Sequence, residues 1–250
     1  MTGMRSPFFC GVGGVVSADI AVPEHEREVA FYSSVLTTGE SPLWREDLMN
    51  NQGTPIIGLG ARTPEYESLP LQWTPHFQVA DVYVSADVAI ANGAKELMRS
   101  DSEDKPSQWA GLLDPQGAAF GLISALPPDP SYTQPSEPIG CIRWLSLASA
   151  NASASRDFYE KVIGWKAMPC DAGNKFEMTQ GEHVAAEIHQ TVQADNRVAS
   201  VWLIHVPVGD LTESLRRVQT GGGEVILEFA GGRTAIIRDP VGVQIALQMG

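Results

Sequence analysis

The alternation of hydrophobic and polar positions follows the same plan in both halves of the chain. An alternating apolar segment predicts a strand, a polar crossing follows, and the next segment has the apolar spacing of a helix that contains Phe-Tyr. The two copies read SADIAVPEHEREVAFYSSVLTT at 17–38 and WLSLASANASASRDFYEKVIGW at 144–165. In the first copy Glu24, Glu26 and Glu28 are expected to be acidic residues of the opening helical turn.

The repeat continues beyond that helix. Residues 76–98 align with 205–227, and each segment predicts a strand, an acidic turn and a helix, the first of these helices spanning Val84–Met98. Asp-Pro-x-Gly then begins at Asp114 and at Asp239. This motif predicts a hairpin turn because Pro fixes φ and Gly accepts positive φ, so we interpret both aspartates as turn formers.

The repeat favours two domains of ordinary size over one large domain. Each half contains two units of the order strand, helix, strand, strand, strand, so the predicted fold class is α+β with four βαβββ units. Residues 127–138 are rich in proline and lack a hydrophobic pattern, which is typical of a semi-rigid linker. The predicted domains therefore span 8–126 and 139–250.

The composition excludes some partners. A formal net charge of −13 would repel DNA, RNA and anionic membranes, and it is compatible with a solubilising acidic surface. Cys10, Cys141 and Cys170 have no metal-ligand spacing and indicate free thiols in a reducing compartment. The N-terminus lacks the apolar length of a signal peptide, and no apolar run approaches a membrane span, so we expect a cytoplasmic protein.

The segments FYEKVIGW, PHFQVADV, ANGAKEL and DPQGAAFGL carry a resemblance to a known superfamily. The chain resembles the vicinal oxygen chelate superfamily, which includes glyoxalase I, extradiol dioxygenases and bleomycin-binding resistance proteins, and within it the tandem two-domain glyoxalase-like branch. The resemblance implies that each pair of βαβββ units closes around a cup that binds a small organic ligand. It covers nearly the whole chain.

The resemblance also implies a divalent metal held by His or Glu side chains at fixed strand positions. Residues without a strong donor occupy those positions in this sequence: Ser17, Thr74, Gly121, Trp144, Leu203 and Ala246. We therefore expect no cofactor and no metal at the family positions.

Several residues near these positions are candidates for ligand binding. His76 and His205 occupy equivalent places, two residues beyond Thr74 and Leu203, so strand alternation directs them to the same face. The alternative for each is a core histidine. Asp19 lies two residues beyond Ser17 and is the natural partner of His76.

The aromatic candidates are Trp73, Trp109 and Trp144, which either line a pocket or fill the core. His183, Glu187 and His189 share a face of one predicted strand and, with His205, are compatible with a relocated metal site. The competing interpretation of that strand is an exposed polar face. The predicted ligand-binding set is Asp19, Trp73, His76, Trp144 and His205.

Two functions remain. The favoured one is a metal-free protein that binds a small organic molecule in a cup. The alternative is a lyase, isomerase or dioxygenase-type enzyme that uses a His/Asp pair or a relocated metal. Because one chain already supplies four units, a monomer is expected, with a homodimer left open.

Overall fold

A computed structural model of the 250-residue chain describes residues 4–5, 7–38, 56–100, 108–127, 142–170, 174–191, 197–229 and 231–250. The strands are β1 (Met4–Arg5), β2 (Val15–Val22), β3 (Ile56–Ala61), β4 (Thr74–Val79), β5 (Lys95–Arg99), β6 (Trp109–Leu113), β7 (Ala119–Ser124), β8 (Trp144–Ser149), β9 (Lys166–Cys170), β10 (Lys175–Gln180), β11 (His183–Gln190), β12 (Trp202–Val208), β13 (Glu224–Glu228), β14 (Thr234–Arg238) and β15 (Gln244–Met249). The helices are α1 (His25–Leu36), α2 (Val82–Ala91), α3 (Ala152–Ile163) and α4 (Leu211–Thr220), with a short 3₁₀ helix at Pro64–Tyr66.

The elements form four modules. Modules two, three and four are complete βαβββ units that begin at β4, β8 and β12. Module one contributes β2, α1 and β3, and residues 39–55 of that module lie outside the described residues. In every module the first and last strands are parallel neighbours, and in modules two to four the other strands continue antiparallel. The predicted α+β class with four βαβββ units is confirmed.

Polar side chains cap three of the helices. Asp81, Asn151 and Asp210 each accept a hydrogen bond from the backbone N–H three residues further on, at 2.9, 3.0 and 2.9 Å. Each bond satisfies a donor that the first helical turn leaves without a partner. The acidic turns of the sequence repeat are therefore helix N-caps.

The helix predicted over Val84–Met98 is wrong in its second half. α2 ends at Ala91, Gly93 follows with a φ of 96°, and Lys95–Arg99 forms a strand that pairs with β6. A glycine in the left-handed region ends the helix. The segment Lys95–Arg99 is short and has few apolar residues, so its hydrophobic pattern does not distinguish a strand from a continued helix.

The described residues form two compact units, and each unit takes modules from both halves of the sequence. Unit 1 draws on Met1–Val16, Thr74–Thr133 and Leu145–Trp202, which contain modules two and three. Unit 2 draws on Ser17–Trp73, Gln134–Trp144 and Leu203–Gly250, which contain modules one and four. The predicted domains 8–126 and 139–250 thus follow the sequence repeat, whereas packing joins modules across it. Most of the predicted linker at 127–138 lies outside the described residues.

Unit 1 has an aromatic core that includes Phe77, Tyr159 and Trp202, whose ring centroids lie 5.2–6.1 Å apart. The Trp202 Nε1–H donates to the Tyr159 hydroxyl at 2.8 Å, and that hydroxyl donates to Asp114 Oδ2 at 3.1 Å. Asp114 belongs to the hairpin turn of module two and Tyr159 to the helix of module three. This buried chain of hydrogen bonds therefore ties the two modules together.

Unit 2 repeats the arrangement. The Tyr32 hydroxyl of module one donates to Asp239 Oδ2 of module four at 2.7 Å. The other carboxylate oxygen, Oδ1, accepts backbone N–H groups of Val241 and Val243 at 3.1 and 2.7 Å, which closes the predicted hairpin turn. Asp239 is therefore a turn former, as predicted, and also a link between modules.

Among the described residues, no helix is both long and apolar enough to cross a bilayer. The cytoplasmic location stays a prediction.

Candidate functional site

In modules one and two, the first strand has one face in the core and one more exposed face. In β2 the side chains of Ala18 and Ile20 are buried, whereas Asp19 between them is exposed. In β4 Phe77 is buried, and its neighbour His76 is half-buried. Because strand neighbours point to opposite sides, these open faces carry two of the predicted ligand residues, Asp19 and His76.

The open face of module one combines a carboxylate with a glycine. Asp19 on β2 is paired in parallel register with Gly58 on β3. A Cβ on Gly58 would overlap the carboxylate oxygen Oδ1 of Asp19, so this side chain lies directly over the glycine backbone. Asp19 is exposed, and its predicted role in ligand binding stays a prediction.

On the open face of module two, an imidazole side chain lies over a glycine of the neighbouring strand, as the Asp19 carboxylate does in module one. His76 is paired with Gly121, which is paired in turn with Gly111, and Gly111 with Met98. A Cβ on Gly121 would overlap Cδ2 of the His76 ring, so the ring lies over that glycine. Two adjacent glycines thus form a floor, which the His76 ring covers at Gly121 and which Met98 Cγ borders at Gly111, 3.6 Å from the Cβ position of that glycine.

Other residues bound this floor. Trp109 is 38% exposed and is paired with Ile123, which follows Gly121 on the same face. At the opposite side, Gln78 Nε2 donates to the carbonyl of Phe9 at 2.8 Å, and Gln78 Oε1 accepts the N–H of Leu126 at 2.9 Å. Gln78, Ile123 and Trp109 thus form one row across the sheet, with the N-terminal segment at its β4 side and the 38% exposed Trp109 at its β6 side.

Trp73 is a core residue in the structure. Its side chain is 1% exposed, and its ring stands edge-on to Tyr32 at a centroid distance of 5.8 Å. Of the two alternatives that the sequence left open for Trp73, the structure agrees with core filling. Trp73 occupies the place in unit 2 that Trp202 occupies in unit 1.

His205 in module four is mostly buried, at 9% exposed, and is paired with Ala246 on β15. Its backbone carbonyl accepts the N–H of Arg143 at 2.6 Å, which brings the start of β8 alongside. Trp144, the next residue, is half-buried. Two members of the predicted set, Trp144 and His205, therefore lie on neighbouring strands, β8 and β12.

Module three carries a charged open face. Lys175 Nζ lies 2.8 Å from Glu187 Oε2, and His189 Nδ1 lies 3.9 Å from Glu187 Oε1. Burial lowers the pKa of His189, and the nearby Lys175 lowers it further although Glu187 acts in the opposite direction. His189 is therefore neutral at pH 7. His183, predicted on the same face, instead stacks on Phe9 at 4.2 Å.

The residues at the family metal positions do not fit a metal. Gly121 and Ala246 have no donor atom, and Leu203 is a buried hydrocarbon side chain. Within the described part of the chain, no three His, Cys, Asp or Glu side chains converge in a way that could hold an ion. The predicted group of His183, Glu187, His189 and His205 is therefore not assembled, and Lys175 instead neutralises Glu187.

Asp19 lies in unit 2 and His76 in unit 1, so their pairing stays a prediction. Sequence reasoning missed Lys175, Gln78 and Gly111. The alternation of β10 could have predicted that Lys175 lies on the open face, because it directly precedes the buried Phe176. No local sequence pattern identifies Gly111, because its place in the floor depends on its pairing with Gly121 of β7.

Three complete βαβββ modules and the described part of a fourth, each with parallel outer strands, define the glyoxalase-type fold. Residues 142–247 match the family described as Glyoxalase/Bleomycin resistance protein/Dioxygenase superfamily. This match confirms, for residues 142–247, the resemblance to the vicinal oxygen chelate superfamily that the sequence shows.

Two curated relatives are similar to part of the chain. The chain is 28% identical over 127 residues to the anthracycline biosynthesis protein DnrV of Streptomyces peucetius, covering 43% of this chain and 46% of that protein. It is 28% identical over 118 residues to the putative glyoxylase CFP32 of Mycobacterium tuberculosis, covering 43% and 45%. The match thus spans about half the length of these relatives.

Solved structures show the same fold over nearly the whole chain. The 2,3-dioxygenase LapB of Pseudomonas sp. KL28 gives a TM-score of 0.54 at 13% identity, covering 97% of this chain and 94% of that one. The Mn(II)-bound glyoxalase of Novosphingobium aromaticivorans gives 0.51 at 15% identity, covering 100% and 83%.

Proposed function

We propose that this chain binds a small, flat organic molecule on the open face of module two, without a metal at the family positions. The observation that carries the proposal is the glycine floor formed by Gly111 and Gly121 between His76 and Met98. Because Gly111 carries no side chain, a planar ring could lie beside the half-buried His76 ring, with the 38% exposed Trp109 as an aromatic wall.

The chemistry of the floor favours a ligand with a polar edge. His76 offers an imidazole that can donate or accept a hydrogen bond, and Met98 and Trp109 offer polarisable surfaces. One relative takes its name from anthracycline biosynthesis. Anthracyclines are flat polycyclic compounds with polar edges, so doxorubicin is a suitable first probe.

The test is a titration that follows doxorubicin fluorescence, with the native chain and His76→Ala. Loss of the imidazole should raise the Kd at least five-fold, because one aromatic contact is worth about 1 kcal/mol. His25→Ala is the matched control, since that ring hydrogen-bonds with the Leu59 carbonyl in unit 2. Equal affinities of the native chain and His76→Ala would refute this site.

Metal content is tested separately. Elemental analysis of the purified protein should find far less than one Zn, Ni, Mn or Fe per chain, because Gly121, Leu203 and Ala246 supply no ligand at the family positions. A near-stoichiometric ion that is lost on mutating Glu187 or His189 would support the enzyme instead. The 2.8 Å ion pair between Lys175 and Glu187 counts against that alternative.

A further inference from the structure

A cleft lies between helices α1 and α4 of unit 2, and it differs in its lining from the open strand faces. Its volume is about 390 Å³. Its lining includes Arg27, Phe31, Ser34, Arg216, Arg217 and Gly221. A Cβ on Gly221 would approach Phe31 Cδ2 to 2.9 Å, so the glycine allows the phenyl ring to lie against the end of α4 and form an apolar wall.

The arginines retain unused donors. Arg216 donates Nε and Nη2 to Glu213 at 2.7 and 2.8 Å. Arg217 donates Nε to Glu213 at 2.7 Å and Nη1 to the Ser34 carbonyl at 3.0 Å. Arg27 donates Nη1 to Glu24 at 2.9 Å. Within the described residues, each guanidinium thus keeps at least one nitrogen that can donate to a further acceptor.

The cleft is positive on an acidic chain. Three arginines face two glutamates here, whereas the whole chain carries a formal net charge of −13. The Arg216 and Arg217 guanidiniums lower the pKa of Glu213 to about 2, which shows how well this pair stabilises a carboxylate. An anion that enters the cleft meets the same kind of donors.

The fold itself does not require these arginines. The equivalent helices of the sequence repeat have other residues at the same positions. The alignment that pairs Phe31 with Phe158 places Ala154 where α1 has Arg27. The alignment that pairs the second helices places Asp87 and Val88 where α4 has its two arginines. The equivalent surface of unit 1 therefore lacks the positive cluster, and the cluster is specific to unit 2.

We propose that this cleft is a binding site for a small organic anion. Carboxylate or phosphate oxygens are bound by Arg27 and Arg216, and the hydrocarbon part lies against Phe31. Guanidinium groups recognise such oxygens through paired N–H donors, and the apolar wall adds affinity that an inorganic anion lacks. This site is independent of the module two floor.

The test is calorimetric titration at low salt with benzoate, phenyl phosphate and neutral benzyl alcohol. At least one of the two anions should bind saturably, and Arg27→Ala/Arg216→Ala should weaken it at least ten-fold. Preference for one anion identifies the head group. The matched control, Arg99→Ala/Arg156→Ala, removes the same charge from unit 1 and should stay within two-fold of the native chain. Thermal unfolding of both variants checks that they fold.

Three results would overturn the proposal. The first is that neither anion saturates the native chain at millimolar concentration. The second is that benzyl alcohol binds as tightly as the anions. The third is that both double variants weaken binding equally. The last result would assign the effect to net charge alone.

Discussion

Replacing Glu28 by glutamine should stabilise the protein at neutral pH. Glu28 lies on α1 and is fully buried next to Asp239. Burial and, secondarily, the charge of Asp239 raise the pKa of Glu28 from 4.5 to about 8. Two carboxylates that face each other offer only acceptors, so one must hold a proton for a hydrogen bond to form.

The sign and size of the effect follow from linkage. The folded chain holds the Glu28 proton up to about pH 8, whereas the unfolded chain loses it near pH 4.5. The native state therefore binds more protons between these values, and its stability falls as the pH rises through this window. At pH 7 the accumulated loss is about 3 kcal/mol, at 1.36 kcal/mol per pH unit. Glu28→Gln removes this loss and keeps a donor toward Asp239.

Urea unfolding at pH 5, 6, 7 and 8 measures the effect. The free energy of unfolding of Glu28→Gln should exceed that of the native chain by about 3 kcal/mol at pH 7, and the difference should shrink to below about 1 kcal/mol at pH 5. Glu26→Gln, an exposed change on the same helix, is the control and should follow the native curve. A variant that is less stable than the native chain at pH 7, or a difference independent of pH, would refute the reasoning.

Two further substitutions test the site and the module links. Gly121→Ala should displace His76, because the new Cβ overlaps the ring, and should weaken doxorubicin binding at least five-fold, whereas Gly111→Ala meets its nearest neighbour atom at 3.6 Å and should fold normally. Tyr159→Phe removes the hydroxyl that binds Asp114 and should lower the free energy of unfolding by about 1–3 kcal/mol, measured in urea. A neutral Tyr159→Phe would show that this bond adds nothing to stability.

The sequence predicted the features that depend on local pattern. Strand alternation placed Asp19 on the same face as Ser17 and His76 on the same face as Thr74, and Asp-Pro-x-Gly placed the hairpin turns at Asp114 and Asp239. Each of these needs only neighbours within a few residues along the chain.

Features that depend on distant partners escaped prediction. Glu28 has the sequence appearance of an acidic residue in a first helical turn, yet the Asp239 turn covers it. Gly121 is informative only after the pairing of β4 with β7 is known. The composition of the compact units is a third case, because a repeat reveals modules without revealing which modules pack together.

That composition limits how the chain can be divided. A cut within residues 128–138 leaves each fragment with one module of each core, so Tyr159 is separated from Asp114 and Tyr32 from Asp239. Neither fragment should fold alone, but the two mixed together should restore both cores. The protein is therefore suited to fragment complementation, with the joining of two independently expressed halves as the signal.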